Sequence, residues 1–479
     1  MLSIWARHPR RSLAVVLVSI SCAASLSAQD VALPAEAPSA HPTVALGDST
    51  SAEFHLAQTT SLSAELRRMY SARAWALLWS ENGAPTASAN ALVDALNRIG
   101  ERGLAPRNFD VARLRSLVGA GLADAEARAD FDATLSTAGL RVLRVLRTGQ
   151  TLAPDVRARQ PAVQSETQIV DELLSMTTTS SAAAVLDAAE PQYAQYRLLK
   201  GALATYRARA DGDSSLRSRV AQIEMSLERW RWLPHQSEGS AIIVNVPAFQ
   251  MQVVSASDDG DSEALAMDVV VGDAGKHRTP IFSDTMEYLI FAPYWNVPMS
   301  LVRSELLPIA ARDPYLLTVN NYQIVNARGQ VMPATAAAVK LVSTGKAWIR
   351  QLPGGTNALG KVKFMFPNEF DIYLHDTPAT PDFQLVRRDR SHGCIRVADP
   401  AALARLLLRD QPGWDADAIG KAMNGSAPVR VNLTKGVPVH IIYATAMAHA
   451  DGTMSFYEDI YGLDADLAAA LAHDVSVNP

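Results

Sequence analysis

The feature that most constrains this chain is a change of hydrophobic period near residue 236. Upstream, apolar residues recur every three or four positions: Leu62, Leu66, Met69 and Tyr70, then Leu92, Leu96 and Ile99, then Leu140, Val142, Leu143, Val145 and Leu146. That spacing lays an apolar stripe along a helix, and Gly or Pro between the blocks, as at Gly83 to Pro85 and Gly103 to Pro106, separates one helix from the next. Beyond Arg229-Trp230-Arg231-Trp232-Leu233-Pro234 the apolar runs become short, β-branched or aromatic, and bounded by Gly, Pro, Asn or Asp. They cover 241–246, 267–271, 286–291, 370–374 and 439–443, with the length and composition of strands. One helix is expected among them, from Asp399 as cap through Pro400 to Leu408. The fold class is therefore α+β and multidomain: an all-α helical domain over 61–235, followed by a mostly β domain over 236–479. Residues 298–357 are too long for a connector, so they are expected to form a lid or capping subdomain within the second domain.

The N-terminus reads as an export signal. Arg7, Arg10 and Arg11 precede the apolar stretch Leu13 to Leu26 and the small-residue exit Ser27-Ala28, so residues 1–28 are expected to be a signal peptide. An uncleaved anchor and a lipidated Cys22 are the alternatives, although Ser19-Ile20-Ser21-Cys22 lacks the Leu expected three residues before a lipidated Cys. Residues 29–60, rich in Ala, Pro, Ser and Thr, are expected to be a linker. With 44 Lys+Arg against 49 Asp+Glu and no long basic block, the charge pattern argues against a nucleic-acid binder. No P-loop, dinucleotide glycine fingerprint or HExxH pair is present.

If Cys22 leaves with the signal, Cys394 is the one remaining thiol. It sits in Ser391-His392-Gly393-Cys394-Ile395-Arg396-Val397, directly after Arg387-Arg388-Asp389-Arg390. Nearby cations are expected to lower the thiol pKa, and Gly393 would let a backbone N–H approach a reacting carbonyl. His375 closes the expected 370–374 strand, 19 positions before Cys394, and Asp376 beside it can orient the ring through its side chain or its carbonyl. Nucleophile, base and orienter together suit acyl transfer. His375, Asp376, His392 and Cys394 could also serve zinc, but without the helical or CxxC ligand pair typical of such sites. Trp230 and Trp232, alternating with Arg229 and Arg231, are expected to pack a seam between domains rather than to stack on carbohydrate.

His375-Asp376-Thr377-Pro378 followed by Ser391 to Arg396 resembles the signature of the L,D-transpeptidase (YkuD-type) catalytic domain. Residues 229–234, 245–249, 291–298, 357–367 and 457–463 are similar to its larger periplasmic subgroup, the YcbB type. Ala74-Trp75 to Gly83 and Glu101 to Leu104 are similar to that subgroup's scaffold domain. The resemblance implies that Cys394 is the nucleophile, His375 the base and the Asp376 carbonyl its orienting partner. It implies an oxyanion hole from the N–H groups of His392, Gly393 and Cys394, with Ser391 and the His392 ring shaping the pocket. Arg396 would fix the loop or bind a substrate carboxylate, and Tyr294, Trp295 and Asn357 would wall the cleft.

The implied protein is a periplasmic transferase of cell-wall organisation and cell shape. Its partners would be peptidoglycan tetrapeptide stems, as donor and as acceptor, joined by 3-3 cross-links. No cofactor, metal, nucleotide or nucleic acid is implied; peripheral association with membrane or wall is. Two alternatives remain: an L,D-carboxypeptidase or amidase hydrolase using the same Cys-His pair, and a non-catalytic wall-binding scaffold protein. The subgroup often inserts a small peptidoglycan-binding module between scaffold and catalytic domains. Here Tyr206 to Arg209 is followed within a short polar stretch by Leu216 to Trp230, which leaves no room for it.

Overall fold

The computed structural model describes residues 50–151, 166–179, 181–234, 239–255 and 262–473. The expected signal peptide and the linker up to residue 49 lie outside the described residues. The end of that linker is folded: Ala52–Gln58 is a helix whose first turn is capped by Ser51, with Oγ accepting the Phe54 N–H at 3.2 Å. Leu56 is fully buried in the helical core, which is why the helix forms there.

The longest helix among the described residues, Ala125–Thr148, starts where the Asp124 carboxylate accepts the Ala127 N–H and stops at Gly149. One face buries Leu135, Val142, Leu143 and Leu146 within a core that extends to Ala189. Asp132 is buried on the same helix and accepts hydrogen bonds from the Leu78 and Trp79 N–H groups and the Tyr70 hydroxyl. Burial raises its carboxyl to about 6.

The last two helices of this half, Ala194–Ala210 and Arg217–Arg231, pack differently. Their Tyr196, Leu203, Ile223 and Leu227 share a core with Ala241, Ile243, Val254 and Ile442 of the sheet. The packing boundary therefore falls before residue 193, well ahead of the change in period. Trp230 packs on Tyr193 at 5.1 Å, and Arg231 is fully buried against Glu228 and the Tyr196 hydroxyl. The Arg-Trp repeat is thus a packed seam.

The second half is built around a strand ladder that closes on itself. Ser240–Asn245 pairs with Gln250–Ser255 and, in parallel, with Val429–Ile442. The order continues through Phe282–Phe291, Val362–Met365, Leu374–His375, Ile395–Val397 and Ser262–Gly272, which returns to Gln250–Ser255. Inward side chains including Val244, Met251, Leu289, Phe291, Phe364 and Ile395 fill its core. Pro400–Leu408 is helical, with the Asp399 carboxylate accepting the Ala402 N–H at 2.8 Å. The strand expected over 370–374 is shorter than its composition suggested: only Leu374–His375 pairs. Asn368 Oδ1 accepts the N–H groups of both Phe370 and Ile372, and Asp371 takes φ 56°, so the backbone curls before the strand begins.

Residues 297–349 form a capping unit with a core of their own, including Val302, Leu306, Leu317, Val342 and Ile349. A small sheet of Trp295–Asn296, Ala347–Gln351, Tyr322–Asn326 and Val331–Met332 ties this unit to the barrel. Among the described residues no helix is long and apolar enough to cross a membrane.

Candidate active site

The local register decides which side chains meet. Leu374 pairs with Ile395 and His375 with Arg396 in parallel, while Lys363 faces His375 across the antiparallel neighbour. Side chains alternate along strands, so Phe364, Leu374, Ile395 and Val397 enter the core and Lys363, His375 and Arg396 share the opposite face. Tyr373 and Cys394, each two residues back, lie on that same face. Two residues of rise and one strand spacing put the His375 and Cys394 backbones about 8 Å apart, a span the two side chains can bridge.

Above this face lies a cavity of about 390 Å³. Cys394, His375, His392, Ser391, Arg396 and Trp295 all line it. The capping unit supplies the far wall through Ser300, Leu301 and Glu305. Glu305 projects from a π-turn, Val302–Leu306, a distortion that frequently marks functional segments.

The nucleophile loop is held by its own backbone and by Thr279. The Ser391 hydroxyl donates to the Cys394 carbonyl at 2.5 Å and accepts the Gly393 N–H at 3.1 Å. Gly393 has φ 109°, a conformation L side chains rarely adopt, and a Cβ there would meet Ile372 Cδ1 at 3.3 Å. The Thr279 hydroxyl donates to the Gly393 carbonyl at 2.8 Å and accepts the Gly272 N–H at 2.9 Å. Because Gly393 N–H is engaged by Ser391, it is not free to serve in the expected oxyanion hole. The N–H groups of His392 and Cys394 donate to no described residue and remain open.

His375 is buried, and its Nδ1 lies 2.5 Å from the Asp376 carbonyl. A carbonyl only accepts, so Nδ1 carries the proton and Nε2 is the basic nitrogen. The Asp376 carboxylate does not touch the ring; it accepts the Lys361 and Thr377 N–H groups at 2.7 Å and fixes the turn that aims the carbonyl.

The expected electrostatics need correction. Burial pushes the Cys394 thiol up to about 11, instead of the lowering anticipated from the preceding arginines. Those cations are engaged elsewhere: Arg387 with Asp389, Arg388 with Asp268 and the Phe249 carbonyl, and Arg390 faces Asp382. Burial likewise lowers His375 to about 3. Thiol and imidazole are therefore both neutral at neutral pH. The thiol donates to the Asp371 carbonyl at 3.7 Å.

Arg396 is paired with Asp382 at 2.8 Å, which fixes the 380–384 turn beside the site. Two expected wall residues lie elsewhere. Asn357 is fully buried, its amide donating to the Pro293 and Leu352 carbonyls and its oxygen accepting the Leu359 N–H, so it shapes the turn behind the wall. Tyr294 stacks under Arg350, 4.1 Å from guanidinium to ring centre, and does not line the cavity. The sequence reading missed His277, whose ring lies 4.9 Å from that of His392, and also Thr279, Glu305 and Asp371. Among the described residues no three His, Cys, Asp or Glu side chains converge as a metal-binding group.

Residues 239–441 match the L,D-transpeptidase catalytic domain (YkuD) family, and residues 64–203 match the Scaffold domain family. A curated Haemophilus influenzae protein named as a candidate L,D-transpeptidase is 31% identical over 262 residues, or 54% of this chain. The chain spans about half, 51%, of the length of that relative.

Proposed function

We propose that this chain is a peptidoglycan L,D-transpeptidase, a cysteine-dependent acyltransferase that forms 3-3 cross-links between stem peptides. The observation that carries the reading is the shared sheet face: Cys394 and His375 line one cavity, with Nε2 left basic by the bond from Nδ1 to the Asp376 carbonyl. The catalytic-domain match over 239–441 supports the same chemistry. The export signal, a periplasmic location and membership of the YcbB-type subgroup belong to this proposal.

Because thiol and imidazole start neutral, the proton moves during attack rather than before it. Cys394 Sγ adds to the carbonyl of the third-position diamino acid as its proton passes to His375 Nε2. The open Cys394 and His392 N–H groups are suited to receive the developing oxyanion. Collapse passes that proton to the departing D-alanine nitrogen and leaves a thioester on Cys394. The side-chain amine of a second stem then attacks the thioester, its proton goes to His375, and the thiol is restored as the peptide bond forms. The capping unit favours amine over water by covering the cleft. Among the described residues neither Asp371 nor Glu305 in the cavity forms an ion pair, which suits a cleft that must admit a cationic amine.

The test is muropeptide analysis of sacculi after expression of wild type and Cys394→Ala. Wild-type-dependent dimers joined at position three support the reading. Loss of tetrapeptides without such dimers indicates the hydrolase, and identical profiles for the two proteins indicate the non-catalytic scaffold.

A further inference from the structure

Lys363 is an ammonium that the proposed mechanism does not use. It stands on Val362–Met365, directly across from His375, on the face that carries Cys394. Its Nζ lies 5.3 Å from the centre of the Tyr373 ring, and that ring is 5.7 Å from the His375 ring. The Lys363 ammonium forms no ion pair or hydrogen bond with any described residue, although the side chain is partly buried. An ammonium so placed is costly unless something nearby benefits from its charge.

The charged and titratable groups around the thiol come from several elements. Asp371, Tyr373 and His375 lie on the adjacent strand and its approach, Arg396 on the nucleophile's own strand, His277 and His392 on the flanking loops, and Glu305 on the capping unit. Arg396 is compensated by Asp382, and the carboxylates of Asp371 and Glu305 oppose a negative sulfur. Lys363 is left as the uncompensated cation of this set. Lys363 is not among the residues that line the cavity.

We propose that Lys363 is a positioning residue of the reaction: its ammonium, set by strand register over the Tyr373 ring and opposite His375, stabilises the Cys394 thiolate as it forms. The electrostatics agree in direction. Burial lowers the Lys363 ammonium, and the Cys394 charge raises it; reciprocally, Lys363 lowers the thiol against the dominant effect of burial.

The inference rests on Cys394 being the nucleophile of the proposed reaction. Its test needs no wall substrate, so it can fail while the transpeptidase reading stands. The rate of Cys394 alkylation by iodoacetamide is followed against pH in the full chain, for wild type, Lys363→Met and Lys363→Arg. The Lys363→Met profile is expected to move to higher pH, with alkylation slowed about tenfold near neutrality, one pKa unit being a factor of ten. Lys363→Arg, which keeps the charge, should stay near wild type. A Lys363→Met profile superimposable on wild type overturns the proposal, as does an equal shift in Lys363→Arg, which would mark a packing effect. Should Lys363→Met lose its thermal transition, Lys363→Gln gives the same comparison.

Discussion

Thr279→Val separates the role of the nucleophile loop from that of the nucleophile. Thr279 is 2% exposed, and its hydroxyl bridges the Gly393 carbonyl and the Gly272 N–H, both buried. Valine fills nearly the same volume, so cavity formation contributes little. The change leaves two buried backbone groups without partners, at about 1–3 kcal/mol each, for a total on the order of 3 kcal/mol once local relaxation is allowed. The Gly393 carbonyl loses its anchor, so thioester formation should slow about 10- to 100-fold through misplacement of Cys394. Urea unfolding and the rate of acyl-enzyme formation, read by intact-protein mass spectrometry, measure the two effects. Thr279→Ser keeps the hydroxyl and should recover most of both. A Thr279→Val protein within about 0.5 kcal/mol of wild type, acylating at the wild-type rate, would refute the bridging argument.

Other expectations follow from the same geometry. Gly393→Ala forces a Cβ onto φ 109° and toward Ile372, at a cost of about 1–3 kcal/mol; circular dichroism should show a folded protein in which thioester formation is nearly abolished. His440 is buried on Ser283 at 2.8 Å, and burial lowers it to about 4 from 6.5. Its neutral form is needed in the fold while the unfolded chain protonates, so its share of stability is complete above pH 6.5 and is lost as pH falls toward 4. Melting temperature against pH should flatten in His440→Gln over that window, by about 3 kcal/mol of integrated stability; an unchanged slope would contradict this. Glu305→Gln should leave acylation intact but lower the ratio of aminolysis to hydrolysis of the thioester, measured by competing an added amine against water.

The two halves and their order were legible because period 3.6 and period 2 leave different marks in a single sequence. The Asp399-Pro400 helix start was legible for the same local reason, since cap and first turn are neighbours in the chain. The packing boundary was not, because helices 194–210 and 217–231 have ordinary amphipathic patterns and only tertiary contacts assign them to the sheet. Cys394, His375 and Asp376 stood out through spacing and residue type. The thiol's electrostatics did not follow from the basic run before it, since sequence gives proximity along the chain while Arg387, Arg388 and Arg390 turn to carboxylates elsewhere. Thr279 and Lys363 were missed because Thr279 lies 114 residues from Gly393 and Lys363 lies 31 positions from Cys394 (394 − 363), and the folded sheet brings them there. Asn357 was placed on the wrong side of the wall because an Asn in a turn reads alike whether its amide faces a substrate or ties the turn's own carbonyls.

The central claim is that one sulfur, activated by one imidazole, carries the acyl group. Purified protein incubated with a disaccharide tetrapeptide should gain the mass of the donor minus D-alanine, and proteolytic mapping should place it on Cys394. Folded His375→Ala should gain nothing. An adduct on another residue, or an undiminished Cys394 adduct in His375→Ala, would contradict the account.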